Sequence, residues 1–61
     1  EDLNLLHIYF EEDMSLLNTA NRLFIHKNTL QYKLDRIHKL CGYNPRKFRD
    51  ANILYLALKL K

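Results

Sequence analysis

The polar side chains that follow His26 are of the types that proteins use to recognise DNA, and they fall within two helical turns. Asn pairs with adenine through two hydrogen bonds, whereas Lys donates to guanine or to phosphate oxygens. Recognition helices enter the major groove with their N-terminal residues toward the bases, so we expect these first turns to read base edges. The residues expected to read bases are Lys27, Asn28, Thr29, Gln31 and Tyr32.

A second set of residues suits the phosphates on either side of those bases. Ser15 and Thr19 lie near the start of a predicted helix, where unpaired backbone N–H groups bind anions. His26 lies where the next helix begins, and basic side chains further along that helix suit backbone phosphates. The residues expected to contact phosphate are Ser15, Thr19, His26, Lys33 and Arg36.

The charges are divided between two parts of the chain, although the net charge is only +3. The first 20 residues hold five Asp or Glu and no Lys or Arg, whereas all ten Lys and Arg follow with only two carboxylates. Segregation of this kind is expected of a surface that meets a polyanion. Many Lys and Arg on small domains are simply solvated, so charge alone leaves both interpretations open.

Four helices are predicted, and the fold class is all-α. Apolar residues recur every three or four positions, and the chain has only one Gly and one Pro. Ser15 suits the N-cap of the second helix, Gly42 the C-cap of the third, and Asn44-Pro45 the start of the fourth. The predicted helices cover residues 3–11, 16–24, 27–40 and 45–60.

The second and third helices have the spacing of a helix-turn-helix unit. A very short connection at Ile25 makes the two helices cross steeply, and Ala20 is small enough for close contact at the crossing. The third helix is expected to bury one apolar stripe against the second. That stripe comprises Leu30, Leu34, Ile37 and Leu40.

The fourth helix is apolar almost all round between Ile53 and Leu60. A surface helix of so small a domain normally has a single apolar stripe. We expect one side to pack against the first and third helices. We expect the other side to meet either a second copy of the chain or an upstream sensor domain.

Other classes of function fit the sequence less well. The three histidines fall on different helical segments without metal-ligand spacing, so we expect neither a metal nor a cofactor. Cys41 is the only cysteine, and no nucleophile–base pair or carboxylate pair stands out, so we expect no enzyme. The longest apolar run is far shorter than the roughly 20 residues of a membrane span. We interpret residues 1–61 as one cytoplasmic domain, and the start without Met suggests the C-terminal fragment of a longer protein.

Residues 20–43, ANRLFIHKNTLQYKLDRIHKLCGY, resemble the C-terminal helix-turn-helix of PucR-type and CdaR-type regulators. The family pattern reads T-A-x-x-L-F-[IV]-H-R-N-T-L-x-Y-R-L-x-R-I, followed by a Gly and an apolar final helix. The resemblance extends from about Leu3 to Leu60, and the third helix is also similar to that of Fis. The matching residues are Thr19, Ala20, Leu23, Phe24, Ile25, His26, Asn28, Thr29, Leu30, Tyr32, Leu34, Arg36, Ile37 and Gly42.

The resemblance implies a bacterial transcription regulator that binds duplex DNA as a dimer or larger assembly and senses its effector through an upstream domain. Lys27 and Lys33 replace Arg residues of the family pattern, which keeps the charge but removes the bidentate geometry that suits guanine. Phe24 occupies a position where most helix-turn-helix units have Gly, a feature shared with the family. The function predicted is therefore sequence-specific binding in the major groove at paired half-sites.

Two other functions are compatible with a small basic helical domain. In one, the domain is a protein-interaction module that docks on a sensor domain or a polymerase subunit through the fourth helix. In the other, it packs nucleic acid without regard to sequence. Substitutions at Asn28 separate these functions from specific DNA recognition, because only the latter depends on a base contact.

Overall fold

The computed structural model describes residues 2–60, and Glu1 and Lys61, the ends of the predicted domain, lie outside the described residues. Within this range the chain forms four α-helices and no strand, which confirms the all-α prediction. No helix in the described range is long and apolar enough to cross a membrane. The helices are α1 Asp2–Glu11, α2 Leu16–Leu23, α3 Lys27–Cys41 and α4 Phe48–Lys59.

Local sequence determines the start of α2 and the end of α3. The Oγ of Ser15 accepts a hydrogen bond from the N–H of Asn18 at 3.2 Å, which confirms Ser15 as the N-cap. Gly42 ends α3 in the left-handed region with a φ of 83°, and its N–H donates to the carbonyl oxygen of His38 at 2.8 Å. A Cβ atom at Gly42 would meet no other atom within 4 Å, so the backbone conformation alone favours Gly there.

The core lies where α1 packs across the helix-turn-helix pair. Leu30 and Leu34 of α3 are completely buried, as their spacing predicts. Burial also raises the pKa of the Tyr9 hydroxyl on α1, although the positive charge of Arg46 opposes the shift. The buried apolar residues of this core are Leu5, Leu6, Tyr9, Ala20, Leu30, Leu34 and Ile37.

The prediction that Leu40 continues the buried stripe of α3 is wrong, because Leu40 is 74% exposed. Each three-residue step along a helix falls about 60° short of a complete turn. Two such steps, from Leu34 through Ile37, carry Leu40 about 120° away from Leu34 and off the buried face. The buried stripe therefore ends at Ile37.

The prediction that Asn44 caps a helix starting at residue 45 is also wrong, because α4 begins at Phe48. The Oδ1 of Asn44 accepts a hydrogen bond from the N–H of Arg46 at 3.0 Å, and its carbonyl oxygen accepts from the N–H of Lys47 at 3.0 Å. Asp50, in the first turn of α4, accepts the N–H of Asn44 at 2.9 Å. Asn44 therefore stabilises a separate turn before the helix.

Helix α4 packs mainly against α1 and not, as expected, against both α1 and α3. Phe10 and Tyr55 meet edge to face with ring centroids 5.7 Å apart, and Leu58 packs against the core. The segment before α4 reaches α3 through Arg46, whose Nη2 lies 2.6 Å from Oδ1 of Asp35. The helix-turn-helix pair thus has the core on one side and leaves the start of α3 open to solvent.

Candidate nucleic-acid interface

The turn between α2 and α3 is short, as predicted, and is closed by backbone hydrogen bonds. Phe24, expected as the last residue of the second helix, lies just beyond α2 in the left-handed region with φ 58° and ψ 40°. Its N–H donates to the carbonyl oxygen of Asn21 at 3.2 Å, and the N–H of Ile25 donates to that of Ala20 at 3.0 Å. The buried methyl side chain of Ala20 lets α2 and α3 cross closely, which sets the direction of α3.

His26 caps α3 with its side chain, as its position in the sequence suggests. Its backbone is extended, and its Nδ1 accepts a hydrogen bond from the N–H of Asn28 at 3.0 Å. A neutral imidazole that accepts at Nδ1 carries its proton on Nε2, where it can donate to an oxygen. The exposed His26 ring therefore satisfies the start of α3 and keeps one donor for a ligand.

The residues expected to read bases lie on the exposed side of α3, with one exception. Lys27, Asn28 and Thr29 are exposed in the first turn, and Tyr32 is 68% exposed in the second. Asn28 and Tyr32 are four residues apart and so share one face of the helix. Gln31 is half-buried, which leaves less of its amide side chain available than the sequence suggested.

Two of the residues expected to contact phosphate lie on α2 or at its start, and their positions differ. Ser15 is partly exposed at the N-cap, beside backbone N–H groups at the helix N-terminus that can bind an anion. Thr19 is 0% exposed, so its hydroxyl does not reach the surface on which a phosphate would lie. The expectation for Thr19 does not fit the fold, because Thr19 and its neighbour Ala20 are the residues of α2 buried in the domain.

Lys33 and Arg36 are less free than the sequence suggested, because both have other contacts. Lys33 is half-buried and lines an open cleft of about 230 Å³ together with Leu23 and Ile25. The Nη2 of Arg36 lies 2.8 Å from Oδ1 of Asp2 on α1, and both side chains are partly exposed. Exposed ion pairs of this kind contribute about 0–1 kcal/mol, so a phosphate can replace the carboxylate at little cost.

Three further ion pairs between described residues are not expected from the sequence. The guanidinium nitrogens of Arg22 on α2 lie 2.8 Å from a carboxylate oxygen of Glu11 and 3.1 Å from one of Glu12. Hydrogen bonds to these carboxylates raise the pKa of the guanidinium, and the bond to Glu12 has the largest effect. Asp35 faces solvent on α3, where it forms the 2.6 Å pair with Arg46. This contact offsets a negative charge that would otherwise oppose phosphate. No local signal predicts the pair, because its partners are 11 residues apart across a turn.

The described part of the chain brings no group of three His, Cys, Asp or Glu side chains close enough to hold a metal ion. Cys41 is exposed at the end of α3, where its Sγ lies 3.5 Å from the carbonyl oxygen of Tyr43. The residues that the fold does bring together at one surface are the turn at Phe24, the cap at His26 and the exposed first turns of α3.

Comparison with known proteins agrees with this geometry. Residues 3–60 match the family model described as the PucR C-terminal helix-turn-helix domain. A carbohydrate diacid regulator of Escherichia coli (strain K12) is 44% identical over 55 residues, which cover 90% of this chain and 14% of that protein. A purine catabolism regulatory protein of Bacillus subtilis (strain 168) is 34% identical over 64 residues, which cover 100% of this chain and 12% of that protein. No solved structure matches the chain.

The match extends over nearly the whole chain, whereas the chain spans only 14% and 12% of the length of these two relatives. Both are named as regulators, and both contain a segment similar to the entire helix-turn-helix unit described above. The chain therefore belongs to the family of PucR C-terminal helix-turn-helix domains, the DNA-binding output domains of bacterial transcription regulators, which are not a known class of enzyme.

Proposed function

We propose that this domain binds duplex DNA sequence-specifically by inserting the N-terminal turns of α3 into the major groove. The observation that carries the proposal is the exposed first turn of α3, in which Lys27, Asn28 and Thr29 follow a capped helix start. The major groove admits an α-helix, and a helix held by its cap and by the core presents these side chains in a fixed orientation.

Each side chain of α3 proposed to read bases has a role that its chemistry suits. The amide of Asn28 pairs with N6 and N7 of adenine, and Lys27 donates to guanine or to a nearby phosphate. Thr29, Gln31 and Tyr32 complete the base-reading set, with Gln31 needing a small rearrangement because it is half-buried. These side chains confer specificity only if the helix is held in register on the duplex.

Phosphate contacts provide that register. The N-terminus of α2 at Ser15 and the imidazole of His26 each offer hydrogen-bond donors to the DNA backbone. Lys33 and Arg36 add positive charge further along α3, where Arg36 exchanges Asp2 for a phosphate. Thr19 has no role in this scheme because it is buried.

Two copies of the domain bind paired half-sites about one helical turn apart, since a single small unit contacts few bases. The outer face of α4, here defined as Ile53, Leu56 and Leu60, is the surface proposed to meet a second copy or a sensor domain of the same regulator. These three apolar residues are exposed, and Leu60 is 88% exposed. The chain acts as the output domain of a longer regulator in the bacterial cytoplasm, where the chromosome lies.

The experiment that tests the proposal starts with selection of duplexes from a random-sequence pool, followed by fluorescence anisotropy at several salt concentrations. Asn28→Ala should weaken binding to the selected duplex by about 1–3 kcal/mol and leave a scrambled duplex unaffected, with an unchanged salt slope. Lys27→Ala should reduce the salt slope by about one if Lys27 binds a phosphate. Asn52→Ala, which alters an exposed Asn on α4, is the matched control and should change neither quantity.

Two results contradict the proposal. Equal and steeply salt-dependent binding to all duplexes would leave only electrostatic attachment to nucleic acid. No enrichment of any duplex, together with loss of regulation in the cell on Leu56→Ser but not on Asn28→Ala, would favour the protein-interaction module. The exposed outer face of α4 is the observation that makes this second function worth testing.

A further inference from the structure

Phe24, in the turn between α2 and α3, combines an exposed ring with a left-handed backbone that does not favour so large a side chain. Its ring is 95% exposed, and its backbone is left-handed with φ 58° and ψ 40°. The hydrogen bonds that end α2 impose this backbone conformation, which Gly adopts without strain and Phe does not. The chain therefore places a large aromatic residue where the smallest one would fit better.

The neighbours of Phe24 show that the ring is not there to complete the core. Leu23 and Ile25, on either side of it, pack against the buried residues, whereas Phe24 points into solvent. A residue that adds backbone strain and leaves its apolar surface in water lowers the stability and solubility of the isolated domain. Contact of the ring with a binding partner explains why so large a residue stands at this position.

The position of Phe24 indicates the partner. It lies two residues before the cap at His26 and directly beside the exposed turn that holds Lys27 and Asn28. A duplex that accepts these side chains in its major groove therefore passes close to the turn. The thymine C5-methyl is the apolar group on the base edges of that groove, and aromatic rings contact it.

We propose that Phe24 is a specificity-determining residue whose ring covers a thymine methyl group at the edge of the site read by α3. The inference rests on the proposed function, because it requires α3 to lie in the major groove. It adds an apolar contact to a set of otherwise polar ones. It also assigns a base preference, thymine, to a position next to those read by Lys27 and Asn28.

The test uses two substitutions that suit the left-handed backbone, Phe24→Gly and Phe24→Asn. Both should weaken binding to the selected duplex by about tenfold, because the buried apolar surface is lost. Both should leave the melting temperature unchanged or raise it, since strain is relieved. Leu40→Ala, at another exposed apolar residue of the same unit, is the matched control and should alter neither quantity.

Replacing single thymines of the selected duplex by uracil identifies the contact, because uracil lacks only the methyl group. At one position the change should weaken wild-type binding by about fourfold and have no effect on the Phe24→Gly variant. The salt slope should be the same for both proteins, because no phosphate contact is lost. This coupling would establish the thymine contact.

The remaining outcomes overturn the inference and separate it from the proposed function. If Asn28→Ala weakens binding and Phe24→Gly does not, the major-groove function stands and Phe24 faces another partner. If Phe24→Gly lowers the melting temperature, the ring supports the fold. If Phe24→Gly weakens binding equally to the thymine and uracil duplexes, the ring does not contact the methyl group. If the wild-type chain selects no duplex, the proposed function and the role of Phe24 both fail.

Discussion

The hydroxyl of Thr19 is a buried polar group that finds no partner among residues 2–60, and its removal should stabilise the domain. Thr19 is 0% exposed, and its Oγ1 makes no hydrogen bond with any described residue. A buried donor or acceptor left unsatisfied costs about 1–3 kcal/mol. Val has nearly the same shape and is also β-branched, so Thr19→Val removes the hydroxyl with little other change to the helix.

The expected gain in the free energy of unfolding is about 1 kcal/mol, the lower end of that range, because a small domain relaxes readily around one side chain. A gain of this size raises the melting temperature by roughly 4–8 °C for a domain of this length. Thr19→Ser is the matched control, since it keeps the hydroxyl and removes one buried methyl group. It should lower stability by about 1 kcal/mol. Urea unfolding followed by far-UV circular dichroism measures both changes, with an unchanged m-value.

A loss of stability on Thr19→Val would refute this reasoning, because the hydroxyl would then have a partner that stabilises the fold. The same variant also tests whether Thr19 contacts DNA. We expect its affinity for the selected duplex and its salt slope to equal those of the wild type. A salt slope reduced by about one would show that Thr19 binds a phosphate after all.

Three further predictions concern the cap, the helix end and the core tyrosine. His26→Ala should lower the free energy of unfolding by about 1 kcal/mol, because the N-cap acceptor is lost. His26→Asn keeps such an acceptor and should lower the free energy of unfolding less, and urea unfolding measures both changes. Gly42→Ala should cost about 1 kcal/mol through its φ of 83° alone, and an unchanged melting temperature would contradict that strain. Burial raises the pKa of Tyr9 above its ordinary value of 10.0, so the unfolded chain loses this proton first and stability should fall as pH rises past 10.0. Tyr9→Phe should flatten that alkaline fall in the melting temperature, and an equally steep fall would assign it to other groups.

The features that the sequence predicted correctly are those decided by a few neighbouring residues. The caps at Ser15 and Gly42 depend on one side chain and one φ angle, and both were predicted. The burial of Leu30 and Leu34 follows from a spacing of one helical turn. The left-handed residue that ends α2 was placed one position too far into the helix, because a Phe gives no signal of such a conformation.

The errors arise where a competing hydrogen-bond partner, a distant ion pair or the burial of one helix face decides the outcome. The sequence predicts that Asn44 caps α4, but the side chain of Asn44 instead accepts a hydrogen bond from the N–H of Arg46 in the preceding turn. The position of Thr19 near the helix start predicts a phosphate contact at the surface, but its side chain is completely buried. The contact of Arg36 on α3 with Asp2 on α1 joins residues 34 positions apart in the sequence, and no periodicity encodes it.

These ion pairs change the meaning of the charge segregation seen in the sequence. The carboxylates of the N-terminal region do not stand apart from the basic residues, because Glu11, Glu12 and Asp2 reach across to Arg22 and Arg36. The surface proposed to face DNA is therefore less positive than the count of Lys and Arg suggests, because Arg36 is paired with Asp2. Pairing of Arg22 and Arg36 with carboxylates reduces the gain from nonspecific attachment, whose affinity scales with the number of phosphates neutralised. The selectivity proposed for the domain then requires base contacts such as that proposed for Asn28 and binding of two half-sites at once, because each would supply free energy that scrambled DNA does not.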